Sequence, residues 1–375
     1  MWSWASPGCL LGISWVSPGH LLGVSWVSPG RLLGVSPSGV SPCLLPSVFW
    51  DVSLFFMLDS SAVSPQMNWS TMGSVRPFPV FQPEKDVSDL QAAFEQKDVR
   101  TVVRILMSRS NNQRQILAQT YRTVTQQDLR VRLETVLDGG VKVLILGLMM
   151  TPNDFEAQRL RQAMEGLGTD EETLLEIMCL RSAEQLSDIA AVYAKEYQRD
   201  LEKDLTSETS GDLRELLLAL LKKMHVSGNV DQDVRVLCEE LNNSKADVKP
   251  WLQILTMRDP DHLRNVLIHL EAERGQPVTA ELEKHFGGLL NRDIRLGLQV
   301  LVSSIEDPHL YLAQRIQPMK ESVVQGVIVS HSEEDLLAVR VAFKKKTGRS
   351  LYSTIQDTFE GDIQQILLAL CRSED

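Results

Sequence analysis

The sequence predicts an all-α protein of four homologous repeats, about five helices each, preceded by a low-complexity tail. Three landmarks predict it. An apolar run, a basic residue and then a small or acidic residue recur as Ile105–Ser110, Ile177–Ser182, Ile254–Asp259 and Val327–Ser332, at steps of 72, 77 and 73 residues. Asp128-Leu129, Asp200-Leu201 and Ser350-Leu351 keep the same register. A leucine-rich run closes each unit, as Leu144–Leu148, Leu216–Leu220, Leu296–Leu301 and Leu367–Leu370. Strand alternation is absent throughout.

Residues 1–66 differ from everything after them: Arg31, Asp51 and Asp59 are their only charges, and they hold five of the seven tryptophans. Residues 4–36 repeat with a period of 11, and a Pro-Gly step in each copy forbids a continuous helix. The longest apolar stretch, 43–58, contains Pro46 and Asp51 and is short for a membrane span. There is no basic start followed by one apolar run, as a signal peptide requires. We read residues 1–66 as an upstream extension, with translation beginning at Met57, Met67 or Met72. A sticky disordered tail and a membrane anchor are the alternatives.

Residues 67–85 then form an N-terminal arm, and the repeats occupy 86–150, 154–223, 231–303 and 307–375. Repeat two shows the helices best. Thr169 with Glu172, and Ser182 with Gln185, have capping-box spacing. Leu174, Leu175, Ile177 and Met178 share one helical face. Five helices are expected there: 156–164, 170–180, 182–196, 200–206 and 212–221.

The formal charge of −11 falls almost wholly on the repeats. An acidic surface argues against nucleic-acid binding and against purely electrostatic docking on an anionic membrane. The five cysteines are odd in number, widely spaced and without metal-ligand patterns, so the compartment reads as reducing and cytoplasmic. Cys179 and Cys371, in apolar helical runs, are expected to be buried thiols. No P-loop, GxSxG, HExxH or EF-hand motif is present, so the chain reads as a binder and not an enzyme.

One loop carries chemistry. Met164-Glu-Gly-Leu-Gly168-Thr-Asp-Glu171 is followed, 39 residues after Thr169, by Glu208. Gly166 and Gly168 permit a tight turn that points carbonyl oxygens outward. Calcium needs six to eight oxygens, and carbonyls plus one bidentate carboxylate supply about five. Water or a lipid phosphate would complete the shell. One carboxylate implies weak affinity without lipid, on the order of 10⁻⁴ to 10⁻³ M.

The Gly-Leu-Gly-Thr-Asp-Glu loop, the Ser207-Glu-Thr-Ser-Gly-Asp212 segment and four units of about seventy residues resemble the annexin family, over residues 72–375. The resemblance implies a curved disc with its calcium loops on the convex face, and calcium-dependent binding to phosphatidylserine-rich membranes. It assigns the main calcium site to the carbonyls of Met164, Gly166 and Gly168 with the Glu208 carboxylate, and an accessory site to Thr169 and Glu171. It leaves the N-terminal arm as the place for a protein partner.

The other three units depart from the pattern. Repeat one is two residues short in Phe94–Asp98 and has Val136 for Glu208; repeat three has Asn243–Ala246 and His285; repeat four has Ile316–Met319 and Thr358, with Asp357 one residue out of register. Only repeat two is expected to bind calcium by this mode. The competing reading is a calcium-independent helical scaffold for a protein partner. Lys344–Lys346 with Arg340 and Arg349 reads as a solvated basic face, and His262, His269 and His285 carry no assigned role.

Overall fold

The computed structural model describes residues 72–166, 168–288 and 291–372. The tail, with Cys9 and Cys43, lies outside the described residues. The chain divides into residues 1–60 and 61–375, and all described residues belong to the second unit.

Twenty helices and no strand occur among the described residues. Repeat one contains α1 (Pro83–Glu95), α2 (Val99–Met107), α3 (Asn111–Thr125), α4 (Leu129–Val136) and α5 (Gly139–Leu148). Repeat two contains α6 (Pro152–Ala163), α7 (Glu171–Leu180), α8 (Ala183–Tyr197), α9 (Leu201–Glu208) and α10 (Gly211–Leu221). Repeat three follows with α11 (Val230–Asn242), α12 (Lys249–Met257), α13 (Pro260–Arg274), α14 (Val278–His285) and α15 (Arg292–Glu306). Repeat four ends the chain with α16 (Pro308–Ile316), α17 (Glu321–His331), α18 (Leu336–Thr347), α19 (Leu351–Thr358) and α20 (Gly361–Cys371).

Local chemistry sets these boundaries. Proline is the first residue of α1, α6, α13 and α16, where its missing N–H costs nothing. Ser110 and Ser182 close full capping boxes with Gln113 and Gln185. Asp128, Asp200 and Ser350, the second sequence landmark, cap the fourth helices of their units. Two expectations are corrected. The first helix of repeat two starts at Pro152, because Thr151 accepts the Asp154 N–H. The N-cap of α7 is Asp170, which accepts the Thr173 N–H, so Thr169 and Glu172 form no capping box.

In each unit the first helix packs on the third. Repeat four joins repeat one through α2, α5, α17 and α20, and repeat three joins repeat two through α7, α10, α12 and α15. The leucine faces fill the interior; Leu174, Leu175, Leu216 and Leu217 have no exposed surface. Burial of each such side chain stabilises the fold by roughly 1.5–3 kcal/mol. Cys371 is buried, whereas Cys179 is only partly so; burial still pushes the Cys179 thiol up to about 12.

The basic landmark has a structural role. Arg109 forks onto Asp86 at 2.6 and 2.7 Å, Arg181 meets Glu156 at 2.5 Å, and Arg258 meets Asp233 at 2.7 Å. Each pair ties the end of a second helix to the first helix of its unit. In repeat four the basic residue is His331, which turns instead to Asp335 at 2.7 Å. A larger ionic seam joins repeats two and four: Arg159 bonds Glu176 at 2.6 Å, Arg315 of α16 reaches Glu172 and Glu176, and Arg181 reaches Glu334 at 2.8 Å. Burial alone would raise the Glu156 carboxyl, but Arg181 and Arg159 outweigh it and hold it down at about 2.

The arm residues thread between repeats one and four. The Val75 N–H donates to the Ser332 carbonyl at 2.8 Å, and the Leu337 N–H to the Met72 carbonyl at 2.9 Å. Phe78 exchanges two backbone hydrogen bonds with the Gln113 side chain and covers Arg109 with its ring.

Candidate calcium site

The site lies between α6 and α7. After Ala163 the chain turns tightly: the Met164 N–H donates to Arg161 and the Glu165 N–H to Gln162. Gly166 and Gly168 then take φ of +100° and +90°, conformations open to glycine alone. The Asp170 N–H closes the loop onto the Ala163 carbonyl at 2.8 Å. Among the described residues, the carbonyl oxygens of Met164, Gly166 and Gly168 accept no hydrogen bond. Backbone oxygens left without a donor are the ligands a hard cation takes. The Met164 side chain is buried and anchors the start of the loop.

Glu208 is the last residue of α9 and is exposed. Its carboxylate makes no ion pair or hydrogen bond among the described residues, and neither does that of Glu171. What brings Glu208 to the loop is Thr169, whose hydroxyl donates to the Glu208 backbone carbonyl at 3.0 Å. Thr169 thus acts as a strut between the two halves of the site, a role that the sequence did not signal. Glu171 is the first residue of α7, where its charge also complements the helix dipole.

The other three units can be compared position by position, because Val136, His285 and Thr358 are also the last residues of their fourth helices. In repeat one, the Asp98 N–H closes onto the Ala93 carbonyl at 2.8 Å around four residues, where repeat two encloses six. Val136 packs on the hydrophobic core. In repeat three, Glu240 accepts from the Asp247 N–H at 2.6 Å and from His285 at 2.9 Å, so the loop is bound from within. In repeat four, buried Met319 folds back at φ +53° onto Ile316, and Asp357 pairs with Arg349.

A second group of ligand-type side chains, His331, Glu334 and Asp335, occurs at the α17–α18 turn. Each is already engaged: Glu334 with Arg181, and Asp335 with both His331 and His309. His262, unassigned from sequence, bonds Asp233 at 2.8 Å. Arg340 is not part of a solvated basic face. It is buried and donates to the Cys371 carbonyl.

Fold and loop together define the class: a four-unit helical-repeat protein with a glycine loop between two helices of its second unit. The chain belongs to the annexin family, whose model, described as Annexin, matches residues 85–148, 155–220 and 312–370. It is 38% identical to Annexin A9 of Mus musculus over 322 residues, covering 82% of this chain and 92% of that protein. Annexin A9 of Homo sapiens is 35% identical over the same shares. Among solved structures, annexin III superposes with a TM-score of 0.76 at 29% identity, covering 81% of this chain and 98% of its own. Annexins are in general calcium-dependent phospholipid-binding proteins. No helix among the described residues is long and apolar enough to cross a membrane.

Proposed function

We propose that this protein binds anionic, phosphatidylserine-rich membranes through one calcium loop, that of repeat two. The carbonyls of Met164, Gly166 and Gly168 and the Glu208 carboxylate would hold the ion, with Thr169 and Glu171 at an accessory position. One observation carries the reading: loop carbonyls and a carboxylate that have no hydrogen-bond partner among the described residues are brought together by the Thr169–Glu208 hydrogen bond. The ion would place positive charge between an acidic protein and acidic headgroups. A lone site forgoes the multivalent gain of several loops, each worth roughly ten- to a hundredfold in apparent affinity. The protein acts as a binder and not as a catalyst, peripheral on the inner face of plasma or vesicle membranes.

A second reading has its own support. The loops of repeats one, three and four are closed by internal hydrogen bonds and packing, as a scaffold for a protein partner would tolerate. Co-sedimentation of the full chain with phosphatidylserine vesicles over a calcium series, beside Glu208→Gln, separates the two. Calcium-dependent pelleting of the wild type alone supports the membrane reading. Failure of the wild type to respond to millimolar calcium puts the scaffold first.

A further inference from the structure

The turn between α17 and α18 departs from its counterparts in a way that gathers ligand-type side chains. Repeats one to three place an arginine after the second helix and pair it with a carboxylate of the first: Arg109 with Asp86, Arg181 with Glu156, Arg258 with Asp233. Repeat four has His331 there, and its ring faces the residues that follow it. The Glu334 and Asp335 N–H groups both donate to the His331 carbonyl, at 3.1 and 3.2 Å. This tight turn brings the side chains at i, i+3 and i+4 to one side. One ligand atom from each of His331, Glu334 and Asp335 lies within 4.8 Å of the other two. His331 is buried, and the two carboxylates are partly exposed.

Neighbouring helices orient the group. His331 Nδ1 stands 2.7 Å from Asp335 Oδ1, and His309 of α16 places its Nε2 3.1 Å from Asp335 Oδ2. Arg181 of repeat two donates to Glu334 Oε2 at 2.8 Å, fixing that carboxylate without occupying Oε1. The charge of Arg181 is itself answered by Glu156 at 2.5 Å. Outer contacts of this kind hold metal ligands in place, so these partners of Glu334 and Asp335 do not exclude an ion. The proton between His331 Nδ1 and Asp335 Oδ1 stands where an ion would bind. An ion replaces it there, and the neutral ring then carries its one proton on Nε2.

The ligand set selects the cation. Two carboxylates and a neutral imidazole balance a divalent charge. Calcium and magnesium take oxygen ligands, so a ring nitrogen in the set disfavours both. Zinc accepts histidine nitrogen and carboxylate oxygen together, commonly with three protein ligands and one water. The Glu334 side chain keeps 38% of its surface exposed, which gives ion and water a path in.

The same turn carries the N-terminal arm. Ser332 accepts the Val75 N–H, Leu337 donates to Met72, and Gly73 lies against the Glu333 backbone. Whatever fixes residues 331–335 therefore fixes the surface on which residues 72–75 rest. We infer that His331, Glu334 and Asp335 form a site for a divalent transition metal ion of the zinc type, and that the bound ion secures the arm. His309 and Arg181 are its positioning residues. The site stands apart from the loop of repeat two and does not depend on the calcium reading.

The test uses the full chain, stripped with a chelator, and Zn²⁺ or Co²⁺ as the probe. His331→Gln and Glu334→Gln are compared with wild type after matching metal-free thermal melts establish that each is folded. Glu334→Gln alters a partly exposed side chain of the same shape, and it decides the matter alone where His331→Gln does not fold. Calorimetry should find one equivalent of Zn²⁺ on wild type that either variant binds at least about a hundredfold more weakly, the upper end of what loss of an outer contact costs. Co²⁺ should give wild type, and neither variant, the visible absorption of a four-coordinate ion. Zn²⁺ should slow proteolysis at residues 72–80 in wild type alone. Millimolar calcium should leave the Zn²⁺ in place. The inference is overturned if wild type takes up no Zn²⁺ or if either folded variant binds it as wild type does. Displacement by calcium would also overturn it, by assigning the ion to the repeat-two loop. Proteolysis unchanged by bound Zn²⁺ would overturn the link to the arm.

Discussion

The Thr169 hydroxyl and the Glu208 backbone carbonyl, 39 residues apart in sequence, meet in a hydrogen bond of 3.0 Å. This contact joins the glycine loop to the end of α9 and so fixes where the carboxylate stands. Thr169→Val keeps every ligand proposed for the main site while removing the strut. A partly exposed hydrogen bond is worth about 1 kcal/mol. The calcium needed for half-maximal vesicle binding should therefore rise roughly three- to tenfold, with an unchanged thermal melt. An unchanged calcium requirement would show that the loop holds its shape alone.

Gly166 and Gly168 stand at φ +100° and +90°, and a Cβ at either would meet nothing within 4 Å. Space is thus no obstacle, and an alanine there is opposed only by backbone strain, on the order of 1–2 kcal/mol. Gly166→Ala and Gly168→Ala should weaken calcium binding at least about fivefold by calorimetry. Circular dichroism should show full helix content. Wild-type affinity would mean that the loop carbonyls do not bind the ion.

Repeat one tests whether loop or carboxylate is decisive. Val136→Glu restores the acid at the end of α4, but the loop still closes around four residues in place of six. Equilibrium dialysis should find no additional calcium bound by this variant. A second ion at millimolar calcium would show that the short loop can still supply carbonyls.

Glu156 provides a pH signature. Its carboxyl titrates at about 2 in the folded protein against an ordinary value of 4.5. A lowered folded-state pKa contributes stability above the unfolded value, and that contribution is lost as pH falls. Glu156→Gln leaves Arg181 without its buried partner and should cost about 3–5 kcal/mol near neutral pH. The gap between the melting temperatures of variant and wild type should narrow between pH 4.5 and 2. A gap independent of pH would mean that packing, not charge, sets the effect.

The arm is held where side chains cannot fit. A Cβ on Gly73 would lie 2.6 Å from the backbone of Glu333. Gly73→Ala should free the arm from the α17–α18 turn and lower stability by about 1–3 kcal/mol. Limited proteolysis should then cut near residues 72–80 faster than in wild type. Equal cleavage rates would show that the Val75 and Leu337 hydrogen bonds hold the arm without Gly73.

Much of this protein was legible in its sequence because the relevant physics is local. Period, leucine faces and the Ser182–Gln185 box needed only residues within a few turns of each other, and they gave helices close to those observed. The shorter loop of repeat one was legible for the same reason, since its residues can be counted. Misreadings arose where a distant partner competed for a group. Thr169 looks like a cap until Glu208 is seen to take its hydroxyl, which leaves the capping to Asp170. Arg340 looks like surface charge until the Cys371 carbonyl is found beside it. The Arg159–Glu176 and Arg315–Glu172 pairs had no sequence signal beyond the Glu156–Arg159 spacing, because their partners come from other helices.

The sequence by itself determined that four helical units exist and that one of them keeps a glycine loop and a downstream acid, since these follow from short-range pattern and composition. Tertiary structure decided which groups remain without a partner among the described residues: the Glu208 and Glu171 carboxylates and three loop carbonyls. The reason is physical. Whether a charge or carbonyl is available to a ligand depends on every donor and acceptor within about 3 Å of it, and here most of those come from elements far away in the chain.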